Sequence, residues 1–202
     1  MGELNSMPPN YNYTIDEYSK VCGYDASQDK TLIRAYHLLH EALCYHGNLS
    51  MYEARRKLKL SREGTFLLRD SSDLRFLFSL SVKTNRGVTA IRIAYNNGMF
   101  RLDCEEQMAK RMPSFDCILK LLEFCMQITS ERRNNMCVFL ESTGRRDTSV
   151  LLTKPHVHSV ASLKSLARKT LNSMLSTEQL RKLLLFMPPD VEKFMKDYPY
   201  RI

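Results

Sequence analysis

The sequence predicts an α+β fold in which a central antiparallel sheet is flanked by two helices. Between residues 64 and 102, short apolar or alternating segments follow one another through tight turns, which makes neighbouring strands antiparallel. Segments with helical periodicity precede and follow these strands. Residues 156–202 have helical periodicity of their own, and we predict that they form a separate unit of three helices.

Helical periodicity begins after a long N-terminal segment. Residues 1–28 carry Pro, Asn, Tyr and Asp without periodicity, and we predict that they are a flexible tail. Over residues 29–44, apolar residues recur at the spacing of an amphipathic helix. These residues are Leu32, Ala35, Tyr36, Leu39 and Leu43. A second helix is predicted over residues 50–60.

One stripe of the first helix allows a second interpretation. His37, His40 and Cys44 lie on it, and imidazole and thiolate are ligands that zinc prefers. A fourth ligand at a suitable spacing is missing, so a helix face packed on the domain is favoured over a metal site. We therefore predict no metal and no other cofactor.

The first two strands differ in pattern. Phe66, Leu67 and Leu68 run without a polar break, which is typical of a strand covered on both faces. Residues 76–82 alternate, as expected for a strand with two unlike faces. One face carries Phe76, Phe78, Leu80 and Val82, and the other carries Leu77, Ser79 and Ser81.

The remaining strands and the second flanking helix follow in order. A third strand is predicted over residues 89–95, and the hairpin sequence at 96–98 (Asn-Asn-Gly) leads to a short fourth strand. A helix is predicted from Ser114, its N-cap, to about residue 129. Its core face carries Ile118, Leu121, Leu122 and Cys125. Residues 130–147 are polar and loop-like, and residues 150–152 are predicted to be a short strand.

The C-terminal residues contain three predicted helices. Ser162 starts the first, Ser176 and Gln179 resemble a capping box before the second, and Asp190 caps the third. Helices this short bury too little surface to be stable alone. Their apolar faces must dock on the main domain or on another protein, and the width of the apolar faces favours another protein.

The composition limits the class of protein without identifying its partner. The chain has 202 residues and a formal net charge of +8, which favours an anionic partner. Lys and Arg are spread along the chain, so nucleic acid is not predicted as a partner. The sequence lacks an apolar run of about 18–20 residues and a secretory pattern, so we predict a cytoplasmic protein without membrane insertion. The six cysteines lack CxxC spacing and are predicted to be reduced thiols.

Arg69 is the first candidate for a binding residue. It follows the buried run at 66–68, so its guanidinium is predicted to lie in partly dry surroundings, where it stays charged and needs an anion. Ser71 and Ser72 follow at once and offer hydroxyls and turn amides, the groups that bind phosphate oxygens.

Two further residues can join this site. Ser79 on the second strand and Arg92 on the third can point to the same face as Arg69, and two guanidiniums with three hydroxyls suit a phosphate dianion. A structural ion pair, in which Asp70 or Asp73 neutralises Arg69, is the alternative and has about equal weight from these residues alone.

Several motifs resemble a known family. Residues 45–47 (YHG), 53–54 (EA), 64–72 (GTFLLRDSS), 89–93 (TAIRI) and 114–118 (SFDCI) resemble a Src-homology-2 (SH2) domain. Together with residues 162–171 (SLKSLARKTL) and 197–202 (DYPYRI), the chain resembles the suppressor of cytokine signalling (SOCS) family. Residues 82–87 (VKTNRG) and 152–155 (LTKP) resemble its branch that contains the cytokine-inducible SH2 protein.

The resemblance implies a domain organisation and a phosphotyrosine pocket. It implies an extended helix at 29–44, an SH2 domain at 45–155 and a three-helix SOCS box at 156–202. Arg69 would bind phosphotyrosine, and the pocket would be completed by Ser71, Ser72, Ser79 and Arg92. The implied ligands are phosphotyrosine peptides of cytokine or growth-factor receptors.

The resemblance also implies a ubiquitin ligase adaptor. The residues that would bind elongin B and elongin C are Leu163, Leu166, Ala167 and Leu171. The resemblance places Leu185, Met187 and Pro188 at the cullin-selecting motif, which would bind cullin-5 with its RING protein. The protein would recognise substrates for this ligase and suppress JAK-STAT signalling.

Four positions depart from the family pattern. Cys44 replaces an aromatic, Met51 replaces a second phosphate-contacting arginine, and Ala167 replaces a cysteine of the elongin-binding helix. The Leu-Pro-x-Pro pattern is reduced to the sequence LFMP at residues 185–188. A competitive blocker that occupies receptor phosphotyrosines without recruiting a ligase therefore remains the alternative. An enzyme is not predicted, because the sequence lacks a phosphate-cradling glycine loop and a nucleophile with a convincing partner.

Overall fold

The computed structural model describes Ser19 and residues 29–104, 112–131 and 150–202. These residues belong to two compact units, one that ends at residue 158 and one that covers residues 159–202. The predicted tail, apart from Ser19, and the predicted loop beyond residue 131 lie outside the described residues, as do Cys22 and Cys137. Among the helices of the described part, none is both long and apolar enough to cross a membrane.

The first unit contains a five-stranded sheet with the order β4-β3-β2-β1-β5. Its strands are β1 (Thr65–Asp70), β2 (Phe78–Thr84), β3 (Gly87–Asn96), β4 (Met99–Leu102) and β5 (Lys154–Pro155). The first four strands are antiparallel neighbours, as predicted, and β5 pairs in parallel with β1. The hairpin between β3 and β4 uses positive φ angles at Asn97 and Gly98, which explains its sequence.

Within residues 29–104 and 112–131, three helices accompany this sheet. They are α1 (Lys30–Ala42), α2 (Met51–Leu58) and α3 (Ile118–Glu131). The side chain of Asp29 caps α1, and α2 begins with a capping box between Ser50 and Glu53. The predicted α+β fold with helices flanking the sheet is confirmed.

The two faces of β1 pack against different elements, which explains its unbroken apolar run. Leu67 packs against Ala54 and Leu58 of α2. Phe66 and Leu68 point to the other face, where β2 contributes its alternating apolar residues. On that face the ring of Tyr36 from α1 lies 5.1 Å from the ring of Phe78. Arg69 therefore shares the α2 face with Leu67.

Two predicted boundaries of this unit are wrong. The helix predicted from Ser114 begins at Ile118, because the N–H and C=O of Phe115 bond to Phe100 at 2.9 and 2.7 Å and are not free for a helix. Residues 150–152 are not a strand: Val150 and Leu152 are buried, and pairing with β1 begins at Lys154.

Two segments that carry histidines bond to the backbone of β1. His46 donates its backbone N–H to Leu68 at 2.8 Å, and His156 donates to Phe66 at 2.6 Å. The His46 ring lies 5.4 Å from the His156 ring and 5.7 Å from the His158 ring, and its Nε2–H donates to the His156 carbonyl at 3.0 Å. Burial lowers the pKa of all three histidines.

This cluster predicts a stability that decreases in weak acid. The pKa of each histidine is lower in the folded protein than in the unfolded chain. As the pH falls below about 6.5, the unfolded chain therefore binds protons that the folded protein does not. The free energy of unfolding decreases over this range, until the pH passes below the folded-state pKa. The melting temperature should therefore be lower at pH 5.5 than at pH 7.5. His156→Gln/His158→Gln should reduce this difference, because it removes two of the three groups whose pKa is lowered by burial.

The second unit contains three helices: α4 (Leu163–Met174), α5 (Thr177–Leu184) and α6 (Pro189–Asp197). Ser162 caps α4, and Ser176 with Gln179 forms the predicted capping box of α5. Asp190 is not the cap of α6. The helix starts at Pro189, whose missing N–H and preset φ suit the first helical position, and Asp190 lies in the first turn.

The interior of the second unit contains two polar side chains of α4. Arg168 is buried on α4, donates from Nη1 to the Phe194 carbonyl at 3.0 Å, and lies 4.0 Å from the Phe194 ring centroid. Asn172 is also buried, and its amide donates to the carbonyls of Tyr198 and Tyr200. Because α4 buries these polar residues in its own unit, Leu163 and Leu166 lie on the exposed side of the helix.

Candidate functional site

Arg69 lies near the end of β1 and is buried on the α2 face of the sheet. Its neighbour Asp70 points to the opposite face, because successive side chains of a strand alternate. On that opposite face the hydroxyl of Tyr45 donates to the Asp70 carboxylate. The Asp70 carboxylate is therefore not the ion-pair partner that the structural interpretation assigned to Arg69.

The hydrogen bonds of Arg69 leave one end of the guanidinium poorly satisfied. Nε donates to the Ser81 hydroxyl at 3.1 Å, and Nη1 donates to the carbonyls of Asp70 at 2.9 Å and Leu49 at 3.5 Å. Nη2 meets only the sulfur of Met51, at 3.7 Å. A thioether is a weak acceptor, so the N–H groups of Nη2 are the ones best able to bind an anion.

No carboxylate among the described residues lies within 4.0 Å of the Arg69 guanidinium. Burial lowers the pKa of this group, and the charge of Asp70 offsets part of that effect. The guanidinium nevertheless stays protonated, because it is too weak an acid to lose its proton in a protein. A buried cation without an ion pair is costly, which is the electrostatic signature of an anion site.

The strand register brings Ser79 and Arg92 onto the same face. Arg69 is directly opposite Ser79 in β2, and Ser79 is directly opposite Arg92 in β3. Directly opposite residues project to the same side of a sheet, so the three side chains form a row. With strands about 4.8 Å apart, the two arginine Cα atoms are separated by roughly 10 Å. The Ser79 hydroxyl has no hydrogen-bond partner in the part of the chain that the structure describes.

Arg92 already has a carboxylate partner. Its Nη2 lies 3.3 Å from Oδ2 of Asp73, and its guanidinium lies 5.3 Å from the ring centroid of Phe76. Arg75 donates to both oxygens of Asp73, at 3.0 and 2.7 Å. These hydrogen bonds from Arg75, with the charges of both arginines, lower the pKa of Asp73 to about 2. Asp73 thus pairs with Arg92 and Arg75 rather than with Arg69.

Ser71 and Ser72 lie in the bend after β1. The Ser71 N–H donates to the Leu77 carbonyl at 3.0 Å, and its hydroxyl accepts from the Asp73 N–H at 3.1 Å. Ser72 is exposed. The row of Arg69, Ser79 and Arg92 is therefore brought together on one face, and the two serines lie in the bend that continues from the Arg69 strand.

Sequence reasoning missed two of the groups that hold Arg69 in place. Ser81 could have been found, because alternation in β2 puts it on the same face as Ser79. The carbonyl of Leu49 carries no such signal, since it approaches Arg69 only when the start of α2 packs on the sheet. The resemblance had already marked Met51, as the position of a second phosphate-contacting arginine, and its sulfur does contact Arg69.

The second candidate site is the outer side of α4. Leu163 is 86% exposed and Leu166 is 46% exposed, Ala167 is exposed, and Leu171 is half-buried. Farther along the unit, Leu185, Phe186 and Pro188 are exposed and Met187 is half-buried. Two apolar stretches thus remain uncovered by the second unit itself, which is the chemistry of a protein-docking surface.

The chain is similar to known proteins over most of its length. The family model described as "SH2 domain" matches residues 44–124. "Suppressor of cytokine signaling 2" of Homo sapiens is 33% identical over 175 residues, which cover 87% of this chain and 84% of the relative. "Suppressor of cytokine signaling 3" of Gallus gallus is 31% identical over 182 residues and covers 85% of each chain. "Cytokine-inducible SH2-containing protein" of Gallus gallus is 29% identical over 201 residues, or 88% of this chain and 75% of the relative.

These relatives share most of their length with this chain, and the match to the SH2 domain covers the α2 helix, the four antiparallel strands and the first half of α3. The predicted resemblance is confirmed: the chain belongs to the suppressor of cytokine signalling family and carries an SH2 domain.

Proposed function

We propose that this protein is a phosphotyrosine-binding adaptor that suppresses cytokine signalling. The observation that carries the proposal is the buried Arg69 guanidinium, which lacks a carboxylate within 4.0 Å among the described residues and points Nη2 at a weak acceptor. A phosphate dianion can replace the Met51 contact with charge-assisted hydrogen bonds, which are about twice as strong as neutral ones.

The remaining site residues extend the proposed pocket. Ser79 offers a hydroxyl beside Arg69, and Arg92 supplies a second cation that exchanges Asp73 for phosphate. Ser71 and Ser72 contribute hydroxyls from the bend. We assign Arg69 the largest share of the phosphate affinity, because Arg92 must first give up its pair with Asp73.

The second unit is proposed to recruit a ubiquitin ligase. The support is the polarity of α4, which buries Arg168 and Asn172 and exposes Leu163 and Leu166. We propose that this outer side, with Ala167 and Leu171, binds elongin B and elongin C. The segment with Leu185, Met187 and Pro188 is proposed to contact cullin-5 and its RING protein.

This organisation defines the proposed biological role. An SH2 domain at 45–155, preceded by the helix at 29–44, would select phosphorylated receptor tails of JAK-STAT pathways in the cytoplasm. A SOCS box at 156–202 would deliver them to the ligase. The protein would then act by binding two partners at once and not as an enzyme.

Binding of phosphotyrosine tests the first half of the proposal. An array of phosphotyrosyl peptides from cytokine and growth-factor receptors selects a peptide, and calorimetry then compares this peptide with its unphosphorylated form. We expect binding of the full chain to the phosphorylated peptide and at least about 100-fold weaker binding to the other, because a buried cation is left unpaired. Equal affinity for the two peptides would overturn the proposal.

A further inference from the structure

The outer side of α2 and the turn that follows it form a strongly cationic surface. Five exposed basic side chains lie within eight residues of sequence. They are Arg55, Arg56, Lys57, Lys59 and Arg62, and we refer to them as the α2 cationic surface. The residues of α2 that face the sheet are the apolar Ala54 and Leu58, so the charges are confined to the solvent side.

These charges are not neutralised within the described protein. None of the five side chains is within 4.0 Å of a carboxylate there. Two acidic residues flank the surface, Glu53 and Glu63. The Glu53 carboxylate is engaged by the N–H and hydroxyl of Ser50, at 3.0 and 2.7 Å, where it closes the capping box. The surface therefore keeps most of its positive charge for an external partner.

Two exposed apolar side chains accompany the charges. Leu60, in the turn between Lys59 and Arg62, is 95% exposed, and Tyr52 on the first turn of α2 is 74% exposed. Neither side chain packs in the core of the first unit, because α2 contacts that core through its opposite side. A cluster of basic residues beside protruding Leu or aromatic side chains combines attraction to anionic lipid headgroups with apolar groups that can enter the headgroup region.

We propose that the α2 cationic surface binds the acidic headgroups of a lipid bilayer, with Leu60 and Tyr52 entering the headgroup region. The positive charges favour an anionic partner. The exposed Leu60 favours a partner that has apolar groups beneath its negative charges, as a lipid bilayer does. A nucleic acid backbone would satisfy the basic residues but would leave Leu60 without an apolar contact. The protein then lies on the surface and does not span the bilayer.

This surface adjoins the Arg69 site. Met51, the first residue of α2, contacts Arg69 through its sulfur, and Leu49 just before the helix accepts a hydrogen bond from the same guanidinium. Binding of α2 to a membrane would hold the Arg69 site close to that membrane. The inference itself rests on the charges of α2 and not on the proposed function of Arg69.

Vesicle sedimentation of the full chain tests this inference. We expect binding to vesicles of phosphatidylcholine and phosphatidylserine that weakens as salt is raised, and little binding to phosphatidylcholine alone. Each basic residue near such a surface contributes roughly fivefold in affinity, so Arg55→Gln/Arg56→Gln/Lys59→Gln should weaken partitioning by about 100-fold. Leu60→Gln should weaken it further without changing the salt dependence.

A matched variant controls for net charge. Arg181→Gln/Lys182→Gln/Lys193→Gln removes three exposed charges from α5 and α6 and should leave partitioning within about twofold of the parent. Equal loss in both triple variants would overturn the proposal, as would equal binding to neutral vesicles. Stronger binding to a double-stranded DNA oligonucleotide than to the acidic vesicles would also overturn it, in favour of a nucleic acid partner.

Discussion

Replacing Arg69 with lysine should weaken binding of a phosphotyrosyl peptide by at least about 30-fold. Lysine keeps the positive charge but replaces a planar fork of donors with a single ammonium nitrogen, which cannot reproduce both the Nε hydrogen bond to Ser81 and a two-point contact with phosphate. Disrupting a buried, hydrogen-bonded charge pair costs about 2–5 kcal/mol of binding free energy. Isothermal titration calorimetry with the phosphorylated peptide measures this change directly.

Two neighbouring arginines provide controls for Arg69→Lys. Arg75→Lys changes the same residue type at an exposed position that contacts Asp73 and not the row of Arg69 and Ser79, so affinity should change by less than about threefold. Arg92→Ala should have an intermediate effect, because Arg92 is partly exposed and already paired with Asp73. A thermal melt of each variant checks that the fold is retained. Unchanged peptide affinity in Arg69→Lys would contradict the assignment of Arg69.

The double variant Leu163→Asp/Leu166→Asp should abolish capture of elongin B and elongin C. Burial of a leucine in an interface is worth about 1.5–3 kcal/mol, and burial of a carboxylate without a partner adds a further cost, so binding should fall by more than about 100-fold. The fold should be retained, because both side chains are exposed and acidic residues are favourable near a helix N-terminus. Pull-down of the purified elongin pair by the full chain measures the effect.

A second pair of exposed residues serves as the control for α4. Val160 and Val157 are 93% and 46% exposed, which closely matches Leu163 and Leu166, but they lie before the helix. Val157→Asp/Val160→Asp should therefore retain capture of the elongins. Phosphopeptide affinity should be unchanged in both double variants. If the parent chain itself binds phosphopeptide but fails to capture the elongins, the competitive blocker becomes the better description.

Features that depend on neighbouring residues were predictable from the sequence. The capping boxes at Ser50 and Ser176 bond residues three positions apart. The Asn-Gly hairpin needs only its own backbone angles. The alternation of β2 predicted that Ser79 and Ser81 share a face, and the register of the sheet confirmed the antiparallel neighbours. Arg69 at the end of a doubly covered strand followed from the same kind of pattern.

Boundaries that depend on distant residues were not predictable. Ser114 is a good N-cap, but the helix begins later because Phe115 pairs with Phe100. Residues 150–152 have the composition of a strand. Val150 and Leu152 are nevertheless buried in the core, and the backbone pairs with β1 only from Lys154. In both cases a contact far away in sequence outweighed the local preference, as tertiary packing commonly does.

The carboxylate partner of each arginine also shows which features depend on neighbouring residues and which depend on distant ones. By itself, the sequence determined the four antiparallel strands, the two capping boxes and the position of a buried cation at Arg69, because local hydrogen bonding and alternation act over a few residues. It left Asp70 and Asp73 as equal candidates to neutralise that cation. Only the tertiary structure separated them: strand alternation turns Asp70 toward Tyr45, and the packing of the bend gives Asp73 to Arg75 and Arg92. Charge pairing depends on distances in space, which a position in the chain does not specify.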